Sequence, residues 1–269
     1  MDELEFRILG PLEVWRVGQL VSVAAPRQRA VLALLLLQAN RMVPTDRLIE
    51  QVWGQASPRS ARNTLQSLVL RLRRRIEAPA ARSAGGAQML VTSGPGYLLR
   101  VGPGQLDADR FLALLERGRA SLGADDPAAA ARLFRAALAL WRGPVLADVV
   151  AEGLARIGVP RLQERYMEAV EGRIESDLLL GRHAELVGEL RSLVAEYPLR
   201  ERLHGSLMLA LYRCQRQAEA LQAFRALRAA LAEELGIEPS AGLQDLHRAI
   251  LTGDPSSIPA RGQRRGDRG

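Results

Sequence analysis

Arginine, amide and hydroxyl side chains are concentrated in one segment, RSARNTLQSLVLRLRRRI, at positions 59–76. At 3.6 residues per turn, a helix over this segment gathers its apolar side chains on one stripe: Ala61, Leu65, Leu68, Val69, Leu72 and Ile76. The opposite face then carries Arg59, Ser60, Asn63, Ser67, Arg71 and Arg74, and the flanks carry Arg62, Gln66, Arg73 and Arg75. In a DNA major groove, Arg can bind phosphate or guanine, Asn and Gln can pair with adenine, and Ser can bond to either base. A solvated arginine-rich helix without a ligand is the alternative interpretation.

The positive charge of the chain lies in its first part. The 269 residues include 37 basic residues, all of them Arg, against 30 acidic ones, for a formal net charge of +7. Residues 1–101 hold 14 Arg and 7 acidic residues, whereas residues 102–269 hold 23 of each. A basic module joined to a neutral body indicates a nucleic-acid binder, because phosphate neutralisation supplies most of the non-specific affinity.

The elements around the basic segment are typical of a small α+β domain. Alternating apolar and polar residues at 4–9, 12–17 and 20–23 predict three short strands joined by tight turns. Helices are predicted at 27–39, 46–53 and 59–76, with Thr45 as the N-cap of the second. Residues 89–92 and 97–101 flank Ser93-Gly94-Pro95-Gly96 and predict a hairpin. This order of elements is that of a winged helix-turn-helix.

The rest of the chain has a helical pattern with an internal repeat. Identical residues recur at a spacing of 34, the tetratricopeptide period: Arg182/Arg216, Ala184/Ala218, Glu185/Glu219, Arg191/Arg225 and Leu193/Leu227. An earlier unit has small and aromatic residues at matching spacings: Gly118, Ala130, Phe134 and Ala137. A plain helical bundle is the alternative. The predicted fold is therefore mainly α, with a winged helix-turn-helix (α+β) at 1–102, an all-α tetratricopeptide-like repeat domain at 103–252, and a disordered Arg-rich tail at 253–269.

Several other classes of function lack support in the sequence. The single Cys214 forms no internal disulfide, the start of the chain has no signal-peptide pattern, and the apolar run at 30–37 is shorter than the ~18–20 residues of a membrane helix. We therefore expect a cytoplasmic protein that associates with the nucleoid. The three histidines have no metal-ligand spacing, and neither a nucleophile turn nor a phosphate-binding loop occurs. We expect no enzymatic activity, no metal and no cofactor.

Short motifs resemble a known family of regulators. The segments ILGPLEV (8–14), LRRRI (72–76) and LVTSGPGYLLRV (90–101) are similar to the OmpR-type winged-helix DNA-binding domain, whose wing has a Gly-x-Gly-Tyr turn before its last strand. The segments at 140–149, 180–221 and 233–251 resemble the bacterial transcriptional activation domain. Together, over about residues 1–252, the chain resembles the Streptomyces antibiotic regulatory proteins (SARPs) of the small, single-unit type.

This resemblance implies a transcriptional activator of a secondary-metabolite gene cluster. It would bind double-stranded promoter DNA at direct repeats, as a homodimer on DNA, and recruit RNA polymerase holoenzyme. A helical-repeat adaptor with a basic protein-binding module is the alternative function.

The resemblance also implies a role for individual positions. Nearest the base edges we expect Arg59, Arg62, Asn63, Gln66 and Ser67. At phosphates we expect Arg27, Arg29, Arg71, Arg73 and Arg74, and in the wing Thr92, Tyr97 and Arg100. Tyr97 could instead brace the wing from the core. Polymerase contact is expected at Gly54, Gln55, Ala56, Ser57 and Pro58. Leu70 is an apolar residue on the predicted exposed face of the helix at 59–76. Either it contacts a thymine methyl or polymerase, or the helix is rotated relative to the predicted pattern.

Overall fold

The computed structural model describes residues 4–54, 57–77, 88–151, 153–154 and 158–253. Its first element is an antiparallel sheet with the order β1-β2-β3, formed by β1 (Leu4–Arg7), β2 (Glu13–Arg16) and β3 (Gln19–Leu20). Leu4 and Phe6 are buried while the residues between and after them are half-buried, as the alternating sequence predicts. The strands are shorter than predicted.

Three helices and a second sheet follow. The helices are α1 (Pro26–Leu36), α2 (Thr45–Trp53) and α3 (Ala61–Ile76). The sheet consists of β4 (Val43–Pro44), β5 (Leu90–Ser93) and β6 (Gly96–Leu99), in the order β4-β6-β5. Helix α1 packs against both α2 and α3, and seven consecutive residues from Ala30 to Leu36 are buried. The predicted winged helix-turn-helix is confirmed.

The turn into α2 differs from the prediction. Thr45 is the first helical residue and makes no side-chain cap, since the preceding Val43–Pro44 pairs with β6 and the Thr45 amide donates to the carbonyl of Pro95 at 3.0 Å. Asn40 has a φ of 62° and holds the end of α1 to the end of the hairpin. Its side chain exchanges two 2.9 Å hydrogen bonds with the backbone of Val101.

Seven helices form the remainder of the described chain. They are α4 (Asp107–Gly123), α5 (Pro127–Leu138), α6 (Val159–Leu179), α7 (His183–Glu196), α8 (Glu201–Arg213), α9 (Gln217–Leu235) and α10 (Ala241–Thr252). Helix α8 packs against α7, α9 and α10, and α7 and α9 begin one 34-residue period apart. The buried Phe134 ring explains two glycines, because a Cβ would lie 2.8 Å from the ring at Gly118 and 2.6 Å at Gly172.

Contacts divide the described residues into two compact units. One comprises the residues through Glu116 together with Arg135–Ala169, and the other comprises Arg117–Phe134 and the residues from Val170 onward. In the first unit, the buried carboxylate of Asp107 accepts hydrogen bonds from the amides of Ile8 and Leu9 at 2.9–3.0 Å. Burial raises the pKa of Asp107. The start of the helical part thus packs on the first sheet, and the boundary at 102/103 stays a prediction.

Two further expectations concern the carboxy-terminal tail and the absence of a membrane helix. The tail predicted at 253–269 lies outside the described residues apart from Gly253. Among the residues that are described, no helix combines the length and the apolar character needed to cross a membrane.

Candidate nucleic-acid interface

Helix α3 has one buried side and one exposed side. The buried residues are the six that the helical period predicts: Ala61, Leu65, Leu68, Val69, Leu72 and Ile76. We call the exposed residues of the helix its outer face: Arg62, Asn63, Gln66, Ser67, Leu70, Arg71, Arg74 and Arg75. The apolar stripe packs against α1 and α2 and so fixes which side chains reach solvent.

The side chains predicted to read bases lie together in the first half of this helix. Asn63, Gln66 and Ser67 are exposed, and Arg59 is exposed two residues before the helix begins. Arg62 pairs with Asp46 of α2 at 2.5 Å, but the two side chains are 60% and 82% exposed. An ion pair so open to solvent contributes little, and a phosphate or a base can compete for the guanidinium.

The predicted phosphate contacts in the second half of α3 separate into two kinds. Arg71 and Arg74 are exposed, and neither has a hydrogen-bond or ion-pair partner within the described part of the chain. Arg73 is half-buried: its Nε donates to the carbonyl of Leu90 at 2.7 Å, and a terminal nitrogen donates to Thr92 Oγ1 at 2.8 Å. Arg73 therefore holds the wing, and we no longer assign it to phosphate.

The residue that follows α3 completes this contact with the wing. The buried carboxylate of Glu77, four residues after Arg73, accepts a 3.3 Å hydrogen bond from the amide of Leu90. Strand β5 is at the edge of its sheet and has no neighbouring strand on one side. There the side chains of Glu77 and Arg73 bond to the amide and the carbonyl of Leu90. Glu77 was not predicted from the sequence, because a side-chain hydrogen bond to an edge strand leaves no periodic signal.

The two arginines at the start of α1 also differ. Arg27 is exposed, and its guanidinium carbon lies 5.7 Å from the centre of the Trp53 ring. Arg29 donates to the carbonyls of Leu12 at 2.8 Å and Val23 at 3.1 Å and pairs with Asp148, which leaves its side chain 19% exposed. Its donors are occupied within the fold, which favours a structural role for Arg29 over the predicted phosphate contact.

The wing is built as its glycines require. Gly94 has a φ of 53°, and a Cβ at Gly96 would lie 2.2 Å from the carbonyl oxygen of Val43. Thr92 and Arg100 are exposed, whereas Tyr97 is 7% exposed and pairs with Val43 across the sheet. The burial of Tyr97 favours the bracing role over the predicted groove contact.

The loop between α2 and α3 is described in part. Gly54 ends α2 with a φ of 58° and a ψ of −143°, a conformation that favours glycine. Ser57 and Pro58 are exposed, and Gln55 and Ala56 lie outside the described residues. The predicted polymerase contact at this loop is left untested by this geometry.

The chemistry of this surface is that of binding. Arg27, Arg71, Arg74 and Arg100 have exposed side chains, as do the amide and hydroxyl residues of the outer face. Within the ranges that the structure describes, no group of three or more His, Cys, Asp or Glu side chains could hold a metal ion. The outer face of α3 and the wing thus offer cations for phosphates and hydrogen-bonding groups for base edges.

Comparisons with known proteins agree with this geometry. Residues 106–251 match the family model of the bacterial transcriptional activator domain, and residues 21–99 match that of the C-terminal domain of transcriptional regulatory proteins. The regulatory protein DnrI of Streptomyces peucetius is 42% identical over 254 residues, which cover 94% of this chain and 93% of DnrI. The regulatory protein AfsR of Streptomyces coelicolor is 40% identical, and here the chain spans 25% of the longer relative.

A solved structure also matches almost the whole chain. The structure of Mycobacterium tuberculosis EmbR in complex with a low-affinity phosphopeptide superposes with a TM-score of 0.84 at 34% sequence identity. The match covers 96% of this chain and 69% of EmbR.

Proposed function

We propose that this chain binds promoter DNA of a secondary-metabolite gene cluster through the outer face of α3. The chain belongs to the Streptomyces antibiotic regulatory protein family of DNA-binding transcriptional activators. The observation that carries this proposal is the burial of six of the seven apolar residues of α3, which leaves Asn63, Gln66 and Ser67 exposed side by side. Base edges in a major groove offer the hydrogen-bonding groups that these side chains match.

The contacts divide by position along the surface. At base edges we place Arg59, Arg62, Asn63, Gln66 and Ser67, because residues in the first half of a recognition helix reach the bases. At phosphates we place Arg27, Arg71 and Arg74, whose side chains are exposed. In the wing, Thr92 and Arg100 contact the DNA backbone. The fold itself uses Arg29, Arg73 and Tyr97.

Membership of this family also supports a proposal for the target and for the assembly on it. We propose that two protomers bind head-to-tail on direct repeats, which present their recognition helices on one side of the duplex when the repeats are ~10–11 bp apart. RNA polymerase holoenzyme is then recruited through the exposed Ser57 and Pro58 together with the activation domain. In this role the protein would be cytoplasmic, would associate with the nucleoid, and would regulate transcription without enzymatic activity.

The dependence of DNA affinity on salt tests this proposal against the adaptor alternative. Fluorescence anisotropy of the full chain with a labelled duplex that carries one direct repeat of the regulated promoter is measured between 50 and 200 mM salt. Four phosphate contacts per protomer, at Arg27, Arg71, Arg74 and Arg100, predict a log–log slope of about −3.6, or a loss of about a hundredfold. Arg225→Ala, an exposed arginine of α9, is the matched control and leaves the slope unchanged.

A flat salt response, or no binding to any promoter duplex, would contradict the proposal and favour an adaptor that binds an acidic protein. Recruitment is measured separately by run-off transcription with purified holoenzyme. We expect the full chain to raise the transcript yield from a promoter with two direct repeats, and a promoter with one repeat destroyed to lose this increase.

A further inference from the structure

Leu70 is the one large apolar side chain on the outer face of α3, and we propose that it reads a thymine through the C5-methyl group of that base. The inference deepens the proposed function and rests on it. The Leu70 side chain is 48% exposed, whereas the other apolar residues of α3 are buried in the core.

The position of Leu70 places it among the base-reading side chains. Seven residues make just under two helical turns, so Leu70 lies almost directly in line with Asn63 along the helix. Gln66 and Ser67 precede it by four and three positions and are its neighbours on the same face. Arg74 follows one turn later and is also exposed. Leu70 thus lies at the centre of the outer face, between the base-reading side chains and an arginine assigned to phosphate.

The direction of Leu70 decides between the partners that an exposed leucine could have. A side chain that points the same way as Asn63 and Gln66 meets whatever surface those amides meet. If they meet base edges, Leu70, about one turn beyond Gln66 on the same face, extends that contact along the groove, and RNA polymerase cannot reach it at the same time. Among the groups that base pairs present in the major groove, the thymine methyl is the apolar one. Burying Leu70 against any other edge would desolvate a polar group without a hydrogen bond.

Replacement of thymine by uracil in the DNA isolates this contact, because the exchange removes only the methyl group. The tight-binding half-site is first selected from a random duplex library with the full chain. Each thymine of the selected duplex is then replaced singly by deoxyuridine, and affinities are measured for the unaltered chain and for Leu70→Ala. A methyl group withdrawn from water corresponds to about a fourfold change in affinity.

The expected result is one position in each half-site where loss of the methyl weakens the unaltered chain about fourfold and leaves Leu70→Ala unaffected. Leu251→Ala, a similarly exposed leucine of α10, should keep the full response to uracil. Circular dichroism and the unfolding midpoint establish that both variants fold.

The proposal is overturned if uracil weakens both proteins equally, or weakens neither at any position, or if the selected half-site contains no thymine. These outcomes leave the proposed function standing as long as the selected duplex binds with the salt dependence described above. Loss of that salt dependence would instead overturn the proposed function, so the two failures are distinguishable.

Discussion

Two arginines of the amino-terminal part that serve the fold differ in burial from three that are available at the surface. Arg29 and Arg73 donate to backbone carbonyls, while Arg27, Arg71 and Arg74 extend into solvent. The sequence predicts that the segment is basic and which side of α3 is exposed. It does not predict the partner of Arg29, because Asp148 is 119 residues away and only the folded chain brings the two together.

Arg27 and Arg29, two residues apart, provide a matched pair of variants. Arg29→Ala leaves two backbone carbonyls and Asp148 without a cationic donor, so we expect the free energy of unfolding to fall by about 2 kcal/mol. The salt slope of DNA binding should stay unchanged. Arg27→Ala should reduce the slope by about 0.9 and cost under about 1 kcal/mol of stability from its contact with Trp53. Urea titration and salt-dependent anisotropy measure the two effects, and the reverse pattern would show the assignments to be exchanged.

Base readers and phosphate contacts on α3 should respond differently to truncation. Asn63→Ala or Gln66→Ala should each cost about 1–3 kcal/mol at one base pair and relax the preference there. Arg71→Ala should weaken all sequences alike. Affinities for a set of singly altered duplexes make the comparison. Equal weakening of every duplex by Asn63→Ala would mean that this amide does not read a base.

The wing depends on contacts that its own sequence only partly indicates. The Gly-x-Gly turn predicts the hairpin, and Gly94 and Gly96 are needed for different reasons. Strand β4 was not predicted, because two residues are too short to show an alternating pattern. The attachment of β5 to the end of α3 was also missed, since side-chain bonds to an edge strand leave no periodic signal.

Gly96 is required because the backbone of β4 approaches it closely. In Gly96→Ala the new Cβ would clash with the Val43 carbonyl, so we expect a loss of about 1–3 kcal/mol of stability and weaker DNA binding from a displaced wing. Gly94→Asn is the control: nothing lies within 4 Å of the added Cβ, and Asn tolerates a positive φ. Thermal unfolding and anisotropy test this pair. Similar losses in both variants would point to backbone conformation, and not to the close approach.

Arg73 fixes the angle between α3 and the wing. Arg73→Met should speed hydrogen exchange at the β5 amides and weaken DNA binding while the salt slope stays constant, because its guanidinium bonds to Leu90 and Thr92. Arg74→Met is the neighbouring control and should reduce the slope by about 0.9. If Arg73→Met reduced the slope as much as Arg74→Met, Arg73 would contact a phosphate, as the sequence predicted.

The chain as a whole joins a basic module to a neutral helical array, and composition and periodicity predict both. Charge counts locate the basic module, and the 34-residue period predicts the array, because both depend on local sequence. The Arg142 amide donates to the carbonyl of Leu9 at 2.7 Å, and Asp107 accepts from Ile8 and Leu9. This packing on the segment after β1 could not be predicted, since each contact joins residues about a hundred or more positions apart. That packing explains why compact units and family matches divide the chain differently.

Acidification should destabilise the helical array through its histidines. Burial lowers the pKa of His204 below its ordinary value of 6.5, although its hydrogen bonds, including that to the carbonyl of Pro198, act against this. The unfolded chain then binds a proton that the folded chain does not, so the free energy of unfolding should fall as the pH drops below about 6.5. Urea titrations at several pH values measure the fall, and His204→Gln should make it shallower. An unchanged profile in His204→Gln would contradict this. The raised pKa of Asp107 makes the free energy of unfolding change in the opposite direction with pH. Because Asp107 is present in both the unaltered chain and His204→Gln, it does not affect the comparison.

Directed cleavage of DNA from the start of α3 tests the orientation of this helix most directly. In a Cys214→Ser background, an iron chelate that generates hydroxyl radicals is attached at Ser60→Cys, an exposed position outside the proposed contacts. Ser192→Cys, exposed on α7, carries the same chelate as the control. We predict cleavage of both strands centred on the major groove of each half-site from position 60 and a different pattern from position 192. Bound DNA that is not cleaved from position 60, or is cleaved alike from both positions, would contradict the placement of α3 against the duplex.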